Sequence, residues 1–242
     1  MTDGYAPGDL VGAARRARRN QLALQEILDA AREEMRVHGP SGVTMRAVAR
    51  SVDMTPAGLY RHVSDHNELL GLLAADAYES VGEAMTQAQG RAPDGDHATA
   101  WYLVVMAMRQ WYVDHLPEFQ LLVSPRLVDP IPERLQATRG LTLQQLVGIC
   151  AAAIEAGQLD PAASGFPTGT VRGDPSDVTT TATPIAMSAL AALSGHLGFE
   201  LRGAFAHVAA DPQQHYSAYA RSMMRFMGFV VEAGSLVLSD LT

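Results

Sequence analysis

The spacing of apolar residues constrains this chain more than any other feature. Segment after segment repeats them three and four apart, the period that lines side chains along one face of an α-helix. Leu24, Leu28, Ala31 and Met35 follow it up to Gly39-Pro40. Trp101, Val104, Val105, Met108, Trp111, Tyr112 and His115 repeat it, as do Leu143, Leu146, Val147, Cys150 and Ile154. Tyr216, Tyr219, Met223, Phe226, Met227 and Val230 repeat it once more. No window sustains the period-two alternation of a half-buried strand, so an all-α fold is expected. Residues 185–205 carry two apolar stripes, Ile185, Ala189, Ala192, His196 and Phe199 on one, Met187, Leu190, Leu193, Leu197 and Leu201 on the other. A helix apolar around most of its circumference needs cover on two sides, and a second copy of the chain is the expected cover. Residues 157–183 are dense in Gly, Pro, Thr, Ser and Asp without apolar spacing, which predicts a flexible loop.

Composition removes several function classes. All 18 basic residues are arginine. Without lysine there is no P-loop lysine, no Schiff base and no lysine general base. The lone Cys150 excludes an intrachain disulfide and points to a reducing, cytoplasmic setting. No N-terminal apolar run resembles a signal peptide. Residues 185–201 approach the length of a bilayer span, but Ser188, Ser194 and His196 interrupt them, so no membrane span is expected. His62 and His66 are four apart yet straddle the break at Ser64-Asp65, which leaves no metal pair; no cofactor is expected either. The sequence contains no HExxH, GxSxG or EF-hand loop, so an enzyme has nothing specific to rest on.

Charge is unevenly distributed. Residues 10–64 hold nine arginines against five acids, whereas residues 65–242 hold nine against nineteen. A basic head on an acidic body suggests a polyanion-facing module joined to one that does not touch nucleic acid. Within the head, residues 43–63 read as two short helices around a tight turn. Thr44 is placed to cap the first, which is expected over 45–52 with Val48, Ala49 and Val52 inward. Ser51-Val52-Asp53-Met54 is the turn. Thr55 caps the second helix, with Pro56 at the first helical position, where its missing N–H costs nothing. Asp65 and Glu68 then form a capping box for the next helix. Short helices packed through Ala47, Ala49 and Ala57 match a helix-turn-helix.

These residues resemble the DNA-binding segment of the tetracycline-repressor (TetR) family of bacterial transcription regulators, in its actinobacterial-type branch. The matching pieces are ILDAA at 27–31, HGPSGVTMRAVAR at 38–50 and GLYRHVSDHNELL at 58–70. More loosely, RQWYVDHLPEFQLL at 109–122, a Pro-rich turn after it and LSGHLGFELRGAF at 193–205 resemble the family's regulatory domain. The resemblance implies an N-terminal three-helix head with the helix-turn-helix over 20–64, and a helical ligand-binding and dimerisation domain over 65–242. It implies that Thr44 bonds a phosphate while capping its helix, and that Arg46 reaches a base or phosphate. Thr55, Pro56, Ala57 and Gly58 would face the major-groove floor, Tyr60 the backbone or a thymine methyl, and His62 a phosphate. His66 stands where the family often carries a phosphate-binding lysine. Pro56, Ala57 and Gly58 offer no side-chain donor, so base reading would fall to Arg46 and Tyr60, aided by DNA shape. Residues 1–19 are expected to be a flexible basic arm, with Arg15, Arg16, Arg18 and Arg19 in a minor-groove or phosphate contact.

In the family the body surrounds a small-molecule cavity. Trp101, Met106, Met108, Trp111, Tyr112 and Phe119, with Met187 and Phe199, would suit an apolar ligand, and Arg109, His115, His196 and Glu200 would orient it. The same residues would equally fill an ordinary helical core. The expected function is a homodimeric repressor that holds a palindromic operator in double-stranded DNA and releases it when an apolar effector binds. The alternative is a helical small-molecule or protein-binding module whose DNA binding is vestigial.

Overall fold

The computed structural model describes residues 7–123, 132–174 and 176–230, with side chains from Gly12 onward. The Pro-rich turn expected after Leu122 lies largely outside the described residues, and residues 231–242 lie outside them entirely. The chain divides, within one helix, into two compact units: Met1–Ala77 with Pro117–Thr138, and Tyr78–Leu116 with Arg139–Thr242.

The first unit opens on α1 (Pro7–His38), followed by α2 (Met45–Ser51), α3 (Pro56–Leu59) and the start of α4 (His66–Gln89). Most of α6 (Leu116–Leu122) and all of α7 (Glu133–Thr138) complete it. Its core collects the apolar stripe of α1 (Ile27, Leu28, Ala31, Met35), then Val43, Met45, Val48, Leu59, Val63, Leu69 and Leu70. The turn out of α1 needs Gly39, whose φ is +69°. Asp76 of α4 gathers this unit by charge: Arg32 of α1 reaches its Oδ2 at 2.5 Å and Arg134 of α7 its Oδ1 at 2.6 Å.

The expected arm is not an extended arm in the structure. Residues 7–19 continue α1, because Ala, Arg, Leu and Gln are strong helix formers and 10–25 holds no proline.

The second unit is built from the remainder of α4, α5 (His97–Asp114), α8 (Leu141–Glu155), α9 (Val178–Leu201) and α10 (Pro212–Met227). Its most extensive contact is α8 on α9, and α5 packs on α8 and α10. Buried alanines, Ala153 on α8 with Ala182, Ala186 and Ala189 on α9, allow close approach. α9 is long and apolar enough to cross a bilayer by composition, but here Ile185, Ala189, Leu193 and Leu197 form one inward stripe. Each stripe expected on this helix therefore contributes only part of the buried face.

The loop expected over 157–183 is shorter and better anchored than its composition suggests. α9 starts at Val178, since Asp177 caps it by accepting from the N–H groups of Thr179 and Thr180 at 3.2 Å. Residues 158–165 are bound to the end of α10 through its backbone. Asp160 donates to the Gly228 carbonyl (2.9 Å), Gly165 to that of Phe226 (2.8 Å), and Val230 to that of Gln158 (2.8 Å). Phe166 meets Phe226 edge-on at 4.9 Å. Gly228 permits this crossing: its φ is +96°, and a Cβ there would collide with the Asp160 carbonyl.

Candidate nucleic-acid interface and regulatory core

In the first unit, two threonines set the ends of two helices. Thr44 Oγ1 accepts the Ala47 N–H at 3.2 Å, and Thr55 Oγ1 accepts the Gly58 N–H at 3.1 Å. Each hydroxyl keeps its own hydrogen to donate elsewhere. Between the helices, Met54 N–H donates back to the Ala49 carbonyl at 2.8 Å. Asp53 makes this turn with φ +52°, a left-handed conformation that Asp tolerates better than most residues. The capping box expected at Asp65 and Glu68 is present. Asp65 accepts the Glu68 N–H at 2.8 Å, and the Glu68 carboxylate accepts the Ser64 N–H at 2.5 Å.

Thr44, Arg46, Thr55, Pro56, Ala57 and Tyr60 are all exposed, Tyr60 at 51%. A shallow cleft of about 400 Å³ runs between the two helices, lined by Arg46, Ala49, Arg50, Asp53, Thr55 and Pro56 among others. Arg50 and Arg61 are exposed beside them and extend the basic surface. Arg50 was legible as a partner of Arg46, since residues four apart share a helix face. Two expected contacts are placed differently. Gly58 is buried: a Cβ there would approach Thr55 Oγ1 at 3.3 Å and Met54 Cβ at 3.8 Å, so it faces the turn. His66 donates from Nε2 to the Val43 carbonyl at 2.6 Å and ties the start of α4 to the segment before α2. His62 is half-buried, and Arg15, Arg16, Arg18 and Arg19 are exposed along α1.

In the second unit, Trp101, Met108, Arg109 and Trp111 are buried, while Met106, Tyr112 and His196 are half-buried. Arg109 holds Glu200 in a two-pronged ion pair, with Nε to Oε2 at 3.1 Å, and its guanidinium lies 5.6 Å over the Tyr216 ring. Trp111 is committed to packing: its Nε1 donates to Ser80 Oγ at 3.1 Å and its ring stacks on His115 at 4.3 Å. Three expected pocket residues are placed elsewhere. Met187 (44% exposed) and Phe199 (56%) turn away from the inward stripe of α9, and Phe119, though buried, belongs to the first unit.

Sequence spacing placed Tyr216 on an apolar stripe but missed Ser217 as part of this core. Tyr102 and Ser217 share a buried hydroxyl hydrogen bond of 2.8 Å. Among the described residues four buried side-chain polar atoms, Trp101 Nε1, Thr142 Oγ1, His196 Nε2 and the Tyr216 hydroxyl, have no hydrogen-bond partner. Burial raises the Tyr216 and Tyr112 phenols above their usual range and pushes the Cys150 thiol up to about 12, which keeps it inert. His196 is held below 6.5, first by burial and then by the charge of His215. A separate open cleft of about 700 Å³ lies between α4 and α8, lined by Glu79, Glu83, Thr86, Gln87, Leu141 and Gln144 among others. None of the expected ligand residues lines it.

Two capped helices around a tight turn, exposing an arginine and a tyrosine and accompanied by a separate helical unit, define a helix-turn-helix transcriptional regulator. Residues 27–72 match the family model described as bacterial regulatory proteins, tetR family. Residues 101–223 match that of a tetracyclin repressor-like C-terminal domain. The chain belongs to the TetR family of DNA-binding transcriptional regulators. It is 32% identical over 122 residues to HTH-type transcriptional regulators of Mycobacterium tuberculosis and Mycobacterium bovis, over 49% of this chain. The chain spans about half the length of the curated relatives it matches (48%). Among solved structures, a tetR-family regulatory protein from Rhodococcus RHA1 shares the fold with TM-score 0.60 at 22% identity, over 86% of this chain and 98% of that one. RolR in complex with resorcinol shares it with TM-score 0.59 at 16% identity, over 88% and 91%.

Proposed function

We propose that the chain is a cytoplasmic repressor that binds a palindromic operator as a homodimer and releases it when a small molecule enters the second unit. The observation that carries this reading is the exposed surface formed by Thr44, Arg46, Thr55, Pro56, Ala57 and Tyr60. Both threonine hydroxyls cap helices and retain a donor for phosphate, which fixes register. Arg46 and Tyr60 supply base contact, and Pro56 and Ala57 offer only apolar contact with thymine methyls. His62 adds a phosphate contact, whereas His66 and Gly58 support the scaffold. DNA selection from a random duplex library at two salt concentrations tests the reading. An enriched inverted repeat, lost in Arg46→Ala and Tyr60→Ala, supports it. No enrichment and no retention of bulk DNA refutes it and leaves the vestigial binding module.

Dimerisation is supported by the outward face of α9, where Met187, Ala191, Ser194, Gly195 and Phe199 are exposed at helical spacing. Effector binding is supported by the unpartnered polar atoms of His196 and Tyr216 beside the Arg109–Glu200 pair. A ligand with an apolar body and hydroxyl or carbonyl groups would fill that need. Because RolR is bound to resorcinol, hydroxylated aromatics are the first probes for a thermal-shift screen. A shift abolished by Tyr216→Phe would support the core as the site. A shift indifferent to that substitution would move the site to the α4–α8 cleft.

A further inference from the structure

α1 starts at Pro7, yet among its described side chains the first buried one is Ile27. At about 1.5 Å per residue, the stretch from 13 to 22 alone is roughly 15 Å long. Every residue from 13 to 22 is exposed. The span 10–25 holds four arginines and no acid, in a chain whose net charge is −8. At about 100° per residue, Arg15, Arg16, Arg18 and Arg19 fall within roughly 160° of the helix circumference, so they form one basic face. Leu22 is the one large apolar side chain from 13 to 22, which leaves little to attract a protein partner.

We infer that this extension is a rigid phosphate-tracking spur, which holds DNA outside the operator contacts of the helix-turn-helix without reading sequence. The inference rests on the DNA-binding reading above and concerns a different part of the chain. Shape decides the mode of contact. A helix with its side chains is about 10–12 Å wide and the minor groove about 6 Å, so a helical extension cannot enter it as an extended arm would. What it can do is lay a row of guanidinium groups along the phosphates, where bidentate geometry suits arginine. Rigidity follows from continuity: the helix that carries the arginines also buries Ile27, Leu28, Ala31 and Met35 in the core of the DNA-binding unit. The arginines therefore move with the head and need no separate ordering on binding.

The test uses the full chain on a 60-base-pair duplex of random sequence. Affinity is measured across a salt series for the wild type and for two quadruple variants, with glutamine or with lysine at 15, 16, 18 and 19. Both replacements favour helix and touch nothing buried, and circular dichroism checks the fold. Each lost phosphate contact flattens the log–log salt slope by about 0.9, so the glutamine variant should flatten it by about 2–3.5 per chain. The lysine variant should keep most of the slope, and both variants should select the same operator as wild type. An unchanged slope in the glutamine variant overturns the spur and leaves the helix-turn-helix reading intact. A lysine variant as weak as the glutamine one, or altered base preference in either, also overturns it, because the arginines would then be reading a groove. Failure of the wild type to bind any duplex would sink both readings.

Discussion

Asp53 shows how much one backbone angle decides in the reading head. Its φ of +52° lets the chain reverse within the four residues between α2 and α3, and the Met54-to-Ala49 hydrogen bond closes the turn. Asp53→Gly should leave stability within about 0.5 kcal/mol, whereas a β-branched Val, strained in that region, should cost about 1–2 kcal/mol. Thermal unfolding of the two variants decides it, and equal melting temperatures would contradict the strained-turn account. The second decisive residue is Arg109, buried with Glu200. Arg109→Met should cost roughly 3–5 kcal/mol by leaving a buried carboxylate unpaired. Adding Glu200→Leu should restore most of that loss in chemical denaturation; a double variant as weak as the single would refute a pair-based account. The threonine caps and Pro56 were legible in the sequence because their signals are local. The Arg109–Glu200 pair was not: both stood out as polar residues on apolar segments, but no local signal joins members 91 positions apart.

At the scale of elements, what local signals missed is mostly what distant backbone holds in place. Composition read 157–183 as loop because glycine, proline and threonine resist regular structure. Its first part is nevertheless fixed by backbone bonds to the end of α10, and its last residues become helix under the Asp177 cap. The basic extension illustrates the converse: a terminal charged run looks like a frayed arm, but its Ala and Arg content favours helix. The joint between α9 and α10 carries a pH dependence. His196 stacks on Tyr219 at 4.5 Å and lies 5.1 Å from His215, with Arg109 and Glu200 also acting on it. Its pKa in the fold lies below 6.5, so the unfolded chain binds the proton more readily. This contribution to stability is therefore complete above about pH 6.5 and is lost as the pH falls below it toward the folded value. Melting temperature should drop from pH 7.5 to pH 5.5, and His196→Gln should flatten that drop. An identical pH profile in the variant would show that other groups carry the dependence.

Over the whole molecule, the recognition surface is small, and that bears on how the chain has to work. α3 has four residues and exposes no side-chain hydrogen-bond donor between Pro56 and Gly58, so one head can read few bases. Two heads held together gain affinity because the second contact becomes intramolecular, a gain of about 10²–10⁴ without any new contact. The dimer surface proposed on α9 supplies that linkage, and Met187 and Phe199 are its exposed large apolar side chains. Replacing both with arginine leaves the inward stripe of Ile185, Ala189, Leu193 and Leu197 untouched, so each chain should still fold. Light scattering should then report the monomer mass. Affinity for the selected inverted repeat should fall by about 10²–10⁴, toward that of a single half-site. Circular dichroism should stay at the wild-type level. A double variant that still scatters as a dimer and keeps its operator affinity would place the subunit contact elsewhere. A monomer with undiminished affinity would instead mean that one small head suffices, and the palindrome would lose its physical reason.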